Sequence, residues 1–127
     1  MPGRIVFSTT PAGTNTSIEA MRINSDQTTK TLGRRYNISS QTTDYTATVN
    51  DEIITVDTTG GDVTITLPPL TGITGQRFHI KKIDSVSNKV IVDGDGTETI
   101  DGSETQDIIF QYDSMELVAG SSEWHIV

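Results

Sequence analysis

From Tyr45 to Val127 the chain is a succession of short runs in which apolar and polar residues alternate, each closed within a few residues by Gly, Pro or Asp. Period-two alternation places successive side chains on opposite faces of a strand, whereas a helix needs its apolar residues every three to four positions. In DVTITL, Val63, Ile65 and Leu67 share a face against Thr64 and Thr66; in QRFHIKK, Phe78 and Ile80 oppose Arg77, His79 and Lys81. KVIVD (Val90, Val92), DIIFQY (Ile108, Phe110, Tyr112), SMELV (Met115, Leu117) and EWHIV (Trp124, Ile126) continue the pattern. Between them lie Thr59-Gly60-Gly61, Pro68-Pro69, Gly72 to Gly75, Asp93-Gly94-Asp95-Gly96, Asp101-Gly102 and Gly120-Ser121-Ser122, residues that supply positive or preset φ where a chain reverses. The Tyr112-Asp113-Ser114-Met115 step predicts a very tight hairpin, and SSEWHIV a closing strand. The reading is all-β: an antiparallel β-sandwich or jelly-roll-like domain over residues 44–127.

Residues 1–43 differ. RIVFS reads as one strand; SIEAMRI reads as another, although Thr16 with Glu19 also fits a capping box. Only one helical turn of pattern follows, which favours the strand, and the TNT and SDQTTKT flanks read as loops. The segment has too few apolar residues to build a core and is expected to be an extended N-terminal arm lying against neighbouring chains, since long arms are ordered only when something ties them down. Composition agrees. Only 33% of the 127 residues are hydrophobic, a thin core for one chain, and about one residue in six is Thr, a β-branched type suited to half-exposed pleated surfaces. A homo-oligomer that completes the core between chains is the expected state.

A net charge of −8 argues against a nucleic-acid partner, which requires a basic face that releases counterions, and against anionic membranes. Arg34 with Arg35 and Lys81 with Lys82 are expected to pair with the acidic surface. The chain has no Cys, so neither disulfides nor thiolate metal sites contribute. No run of 18 apolar residues occurs, so no membrane insertion is expected.

The sharpest chemical candidate is VDGDGTETIDGSE. As a calcium loop it would place Asp93, Asp95, Thr97 and Glu104 at ligand positions 1, 3, 5 and 12, but Glu98 stands where the turn needs Gly. A looser calcium site of Asp93, Asp95 and Asp101 competes with a pair of Asp/Gly β-turns, which is the preferred reading. His79 and His125 fall at outward positions and lack converging zinc ligands. No GxSxG elbow, GxGxxG or P-loop occurs, so no catalytic and no cofactor-binding residues are assigned. Trp124 alternates in phase with Ile126 and is expected in the core. Tyr36, Tyr45 and Tyr112 are weaker candidates for exposed contacts, and any receptor recognition is expected at polar turn tips.

The string IVFSTTPAGTNTSIEAMRINSD, through Phe7, Ser8, Thr9, Thr10, Gly13, Glu19, Met21, Arg22 and Ile23, resembles a segment that recurs in bacteriophage tail-fibre and related virion fibre proteins. The order of YTATVNDEIITVD, ITLPP, GQRFHIKK, VIVDGDGTETIDG and a Trp-containing final strand resembles the β-rich C-terminal domains of such fibres. Together these cover nearly the whole chain. The resemblance implies a homotrimer about a threefold axis and a location in the virion. Its partners would be tail or capsid proteins and a host-surface glycan or protein, and its role distal tail-fibre attachment. The alternatives are a trimeric head fibre or capsid decoration (cement) protein and, last, a virion-associated glycan hydrolase. The Gly usual after the Met-Arg-Ile strand is replaced by Asp26-Gln27-Thr28. Met1-Pro2-Gly3 resembles the middle of a fibre, which leaves open a C-terminal fragment, an internal start, or a small stand-alone gene.

Overall fold

The computed structural model describes residues 3–26, 29–31 and 33–127; Met1, Pro2, and the Gln27-Thr28 step that departs from the fibre pattern lie outside them. The chain divides into two compact units, residues 1–35 and 36–127, so the boundary falls earlier than residue 43. The difference is Ile38–Gln41. Its sequence, ISSQ, carries a single apolar residue and reads as arm, yet its backbone pairs into a sheet of the second unit.

The first unit is an antiparallel sheet in the order β1 (Ile5–Thr9), β2 (Ile18–Ile23), β3 (Thr29–Thr31). SIEAMRI is therefore strand, and Thr29–Thr31, expected within a loop, is an edge strand. The β1–β2 connection turns at Gly13, φ 81°, with the Thr14 N–H donating to the Pro11 carbonyl at 3.2 Å. A register shift after Phe7 pairs Phe7 with Met21 but Ser8 with Glu19, so Ala20 is the extra residue of a bulge. The bulge is what lets Glu19 and Arg22 meet, 3.4 Å apart; three residues apart on a regular strand they would point to opposite faces. Ile5 opposite Ile23 and Phe7 opposite Met21 make an apolar quartet on one face. No described residue of this unit is buried, and Ile5 and Phe7 are 58% and 54% exposed.

The second unit has two sheets. One runs β12-β11-β8-β6-β4 and the other β10-β9-β7-β5, from β4 (Ile38–Gln41), β5 (Tyr45–Thr46), β6 (Ile53–Val56), β7 (Val63–Thr66), β8 (Arg77–Lys82), β9 (Val90–Asp93), β10 (Thr105–Ile108), β11 (Ser114–Ala119) and β12 (Trp124–Ile126). Up to β9 the chain lays one strand on each sheet in turn, and each strand pairs in parallel with the one laid a circuit earlier: β4 with β6 and β6 with β8, β5 with β7 and β7 with β9. Only then does pairing become antiparallel, β10 on β9, β11 on β8 and β12 on β11. The antiparallel sandwich expected from sequence is thus corrected: the domain is all-β and two-sheeted, but its central ladders are parallel. The physical reason is that side-chain alternation is the same in both pairings. Direction depends on the route of the chain, and here the turns carry it around a corner to the other sheet instead of back along the same one. The long crossover that parallel neighbours require is supplied by a strand of the opposite sheet.

Alternation also fails at DIIFQY. Strand β10 stops at Ile108, which is buried, while Phe110 and Tyr112 are 71% and 64% exposed. Tyr112 has φ 68°, which ends an extended run, and no hairpin forms at residues 112–115, because β10 and β11 lie in different sheets.

The inward faces share one core: Ile54, Val56, Phe78, Ile80, Leu117 and Trp124 from one sheet meet Val63, Ile65, Val90, Val92 and Ile108 from the other. Phe78 and Trp124 pack edge to face with centroids 5.6 Å apart, so Trp124 is a core residue. The Trp124 indole N–H is buried and makes no hydrogen bond. Leaving such a donor unpaired costs about 1–3 kcal/mol, which here is set against the burial of the largest side chain in the core.

Lys82 is in phase with Phe78 and Ile80 and points inward, fully buried; it is not a surface partner. Its ammonium meets Asp84 Oδ1, the Thr58 hydroxyl at 2.9 Å and the Asp84 carbonyl at 3.2 Å. Asp84 in turn accepts the Thr58 N–H at 2.6 Å and the Val86 N–H at 3.1 Å, and Asn88 donates to the Thr58 carbonyl at 2.7 Å. Burial alone would push the Asp84 carboxyl up, but the Lys82 ammonium and the Thr58 and Val86 donors together hold it well below the ordinary carboxylate range. The cluster joins the corner after β6 to the corner after β8. Removing one partner of such a pair costs about 3–5 kcal/mol, whereas replacing both by apolar groups can be neutral. We expect Asp84→Asn to lose several kcal/mol in urea unfolding and the Lys82→Met/Asp84→Leu double variant to recover part of that loss. An unfolded Asp titrates near about 3.9 and the folded group lower, so the wild-type contribution is complete above pH ~4 and fades as pH falls further. Acid melts of Asp84→Asn should be flatter than wild type below that pH.

Candidate functional site

The Asp/Gly segment after β9 is two successive turns. The first is closed by the Glu98 N–H donating to the Asp95 carbonyl at 3.0 Å, with Gly96 at φ 62°. At Gly94 a Cβ would overlap the Glu98 backbone carbonyl, so the close return of the chain requires glycine. The second is a tight reversal at Asp101-Gly102, φ 47° and 85°, bracketed by reciprocal hydrogen bonds between Ile100 and Ser103 of 2.6 and 3.1 Å; two positive φ angles in sequence are the type I′ signature.

The carboxylates here are used on backbone donors. Glu98 accepts the Leu70 N–H at 3.0 Å, Glu123 the Gly102 N–H at 2.9 Å, and Asp101 the Ile126 N–H at 3.3 Å. Asp101 also lies 3.4 Å from His125 Nδ1. Asp95 is exposed and Asp93 half-buried at the end of β9. Asp93, Asp95 and Asp101 are not brought together as a ligand set: among the described residues, no three of His, Cys, Asp or Glu group so as to hold a metal ion. His79 sits half-buried in the middle of its sheet between Ile53 and Glu116, two strands from His125 on β12. Tyr45 is half-buried, its hydroxyl donating at 3.0 Å to Asp51. Burial raises the Asp51 carboxyl, but donation from the Thr48 N–H and hydroxyl and from Tyr45 brings it below the usual range. Of the tyrosines proposed for exposed contact, Tyr36 and Tyr112 are on the surface.

The most distinctive surface lies where the chain passes from β10 to β11. Ile109, Phe110, Tyr112, Ile126 and Val127 are all exposed, beside an open groove of about 260 Å³ walled by Ile109, Phe110, Met115 and Ile126 with Asp107 and Asp113 at its polar side. The bend is held firmly. Tyr112 donates its N–H to the Lys82 carbonyl at 2.9 Å, Lys82 its N–H to the Asp113 carbonyl at 3.1 Å, and Lys81 Nζ its proton to the Tyr112 carbonyl at 2.7 Å while standing 5.6 Å from the Tyr112 ring. A bulky residue at positive φ costs energy and persists only where its surroundings over-determine it. The groove sets apolar walls beside two carboxylates, Asp107 and Asp113. Sequence reading placed Phe110 and Tyr112 in phase with the inward Ile108, while also offering Tyr112 as an exposed contact, and so missed this face as a whole. The signal was present in Ile108-Ile109-Phe110: three consecutive apolar residues cannot all face one side of a strand.

The chain matches no protein-family model and no curated protein. No helix among the described residues is long and apolar enough to cross a membrane.

The geometry of the Asp/Gly turns generates a direct expectation: millimolar CaCl₂ leaves the thermal midpoint unchanged. A ligand bound only by the folded chain would raise it, and a reproducible upward shift abolished by Asp93→Asn would restore the calcium reading.

Proposed function

We propose that this chain is a non-enzymatic structural subunit of a bacteriophage virion, working as a homotrimer in the distal part of a tail fibre that attaches to a host-surface glycan or protein. One observation carries the reading most. The sheet of β1, β2 and β3 presents the quartet Ile5, Phe7, Met21 and Ile23 with no buried residue to cover it, and three strands on this scale need a packed face to be stable. Copies of the chain around an axis supply that cover threefold, and the same segment carries the resemblance to virion fibres. Carboxylates tied to backbone donors and a surface suited to contact support an adhesive part over a catalytic one.

Light scattering at micromolar concentration should give a mass near three times 13.8 kDa. A single-chain mass would refute the trimer. Immunogold labelling of intact particles with an antibody to this chain should decorate tail tips; label on capsid facets would replace the tail-fibre reading by a head-fibre or capsid-decoration one.

A further inference from the structure

We infer that the bend between β10 and β11 is an interface between copies of this chain, in which Phe110 of one copy enters the groove beside Phe110 of the next. This deepens the homotrimer reading above and rests on it. Three features of the second unit point to a copy as the occupant.

The first is size. The chain carries a projecting phenyl ring, 71% exposed, next to an open groove of about 260 Å³ with apolar walls; an apolar cavity of about 150 Å³ already accepts a benzene ring. Phe110 both projects and walls the groove, so each copy would offer the same two surfaces to its neighbours, a head-to-tail contact that forms a ring where its rotation closes.

The second is charge. Each copy carries −8, which opposes association in general, but this face holds both signs: Lys81 against the Tyr112 carbonyl and ring, Lys89 on Asp107 at 2.7 Å, and the Asp113 carboxylate at the groove. Lys81 and Lys89 offset the local charge of Asp107 and Asp113.

The third is rigidity. Phe110 and Tyr112 are presented by a bend fixed to Lys81 and Lys82, including a tyrosine held at positive φ. Aromatic residues on a pre-ordered segment lose little entropy on docking and are the typical anchors of protein interfaces.

The test uses the full chain. Sedimentation velocity over a concentration series compares wild type with Phe110→Asp and with Ile38→Asp, a similarly exposed position on the far edge strand β4. Phe110→Asp should raise the concentration at which half the chains are assembled by about 30-fold or more, the effect of losing one anchor worth about 2 kcal/mol, while Ile38→Asp leaves it unchanged. Hydroxyl-radical footprinting of the wild type gives the second measurement: Phe110 and Tyr112 should be protected at assembling concentrations and oxidised on dilution, with Tyr36 oxidised at both. A wild type with the mass of one chain throughout overturns the homotrimer reading and this one together. An assembled wild type whose Phe110 and Tyr112 oxidise freely, or an unchanged assembly of a folded Phe110→Asp variant, overturns this interface alone and leaves the face to an outside ligand. If Phe110→Asp loses its β circular dichroism, the footprinting decides.

Discussion

A lysine ammonium inside a thin core is the constraint around which the second unit is organised. Lys82 occupies a position that alternation with Phe78 and Ile80 assigns to the interior, and a charge cannot stay there unpaired without a cost of several kcal/mol. Asp84 lies two residues on, just past the end of the strand, and alternation puts it on the same side as Lys82. Its carboxylate also accepts the Thr58 N–H, a circuit earlier. The ion pair therefore locates two corners relative to each other and fixes the step from one circuit to the next. Val56 stands opposite Lys82 at the end of the parallel β6–β8 ladder, so the ion pair sits where that ladder meets its corners.

Class and strand positions were legible because period two reports on which side chains are buried, and burial depends on the local strand alone. Val63, Ile65, Phe78, Ile80, Val90, Val92, Leu117 and Trp124 are in the core as their spacing requires. Strand direction was not legible, because a turn rich in Gly and Asp serves equally to reverse a chain within a sheet or to carry it to the next sheet. Ile38–Gln41 was missed for a related reason. As an edge strand it turns Ser39 and Gln41 toward the interior in register with Ile54 and Val56, so its inward face is polar and no hydrophobic pattern marks it.

The candidate contact face was hidden by a different effect. Tyr112 continues the alternation of DIIFQY on paper, but the chain has to leave one sheet for the other between Ile108 and Ser114, and tertiary route overrides local pattern. The Asp/Gly segment shows the reverse case. Its spacing resembles a metal loop, yet Glu98 and Asp101 are engaged with backbone N–H groups, and a carboxylate satisfied in this way serves as a turn closure. Here the turn chemistry was readable from the Asp and Gly residues themselves.

Edge exposure bears on how such a domain can associate. Two sheets built from stacked circuits leave free edges at β4 and β5 on one end and at β10 and β12 on the other, and free edges invite strand-to-strand growth. In this chain they are poor templates. Strand β5 has two residues and β12 three, and β4 carries Ser39 and Gln41 on the face that a continuing core would need apolar. Stacking a second copy on that end would bury Ser39 and Gln41 where no core residue meets them and would gain little apolar contact. The bend at Phe110 and Tyr112 has the opposite balance, with exposed rings, an adjacent groove and the Tyr112 and Asp113 N–H groups bonded within the chain. The side chains of this bend are therefore better suited to burial against a partner surface than the sheet edges are to strand pairing.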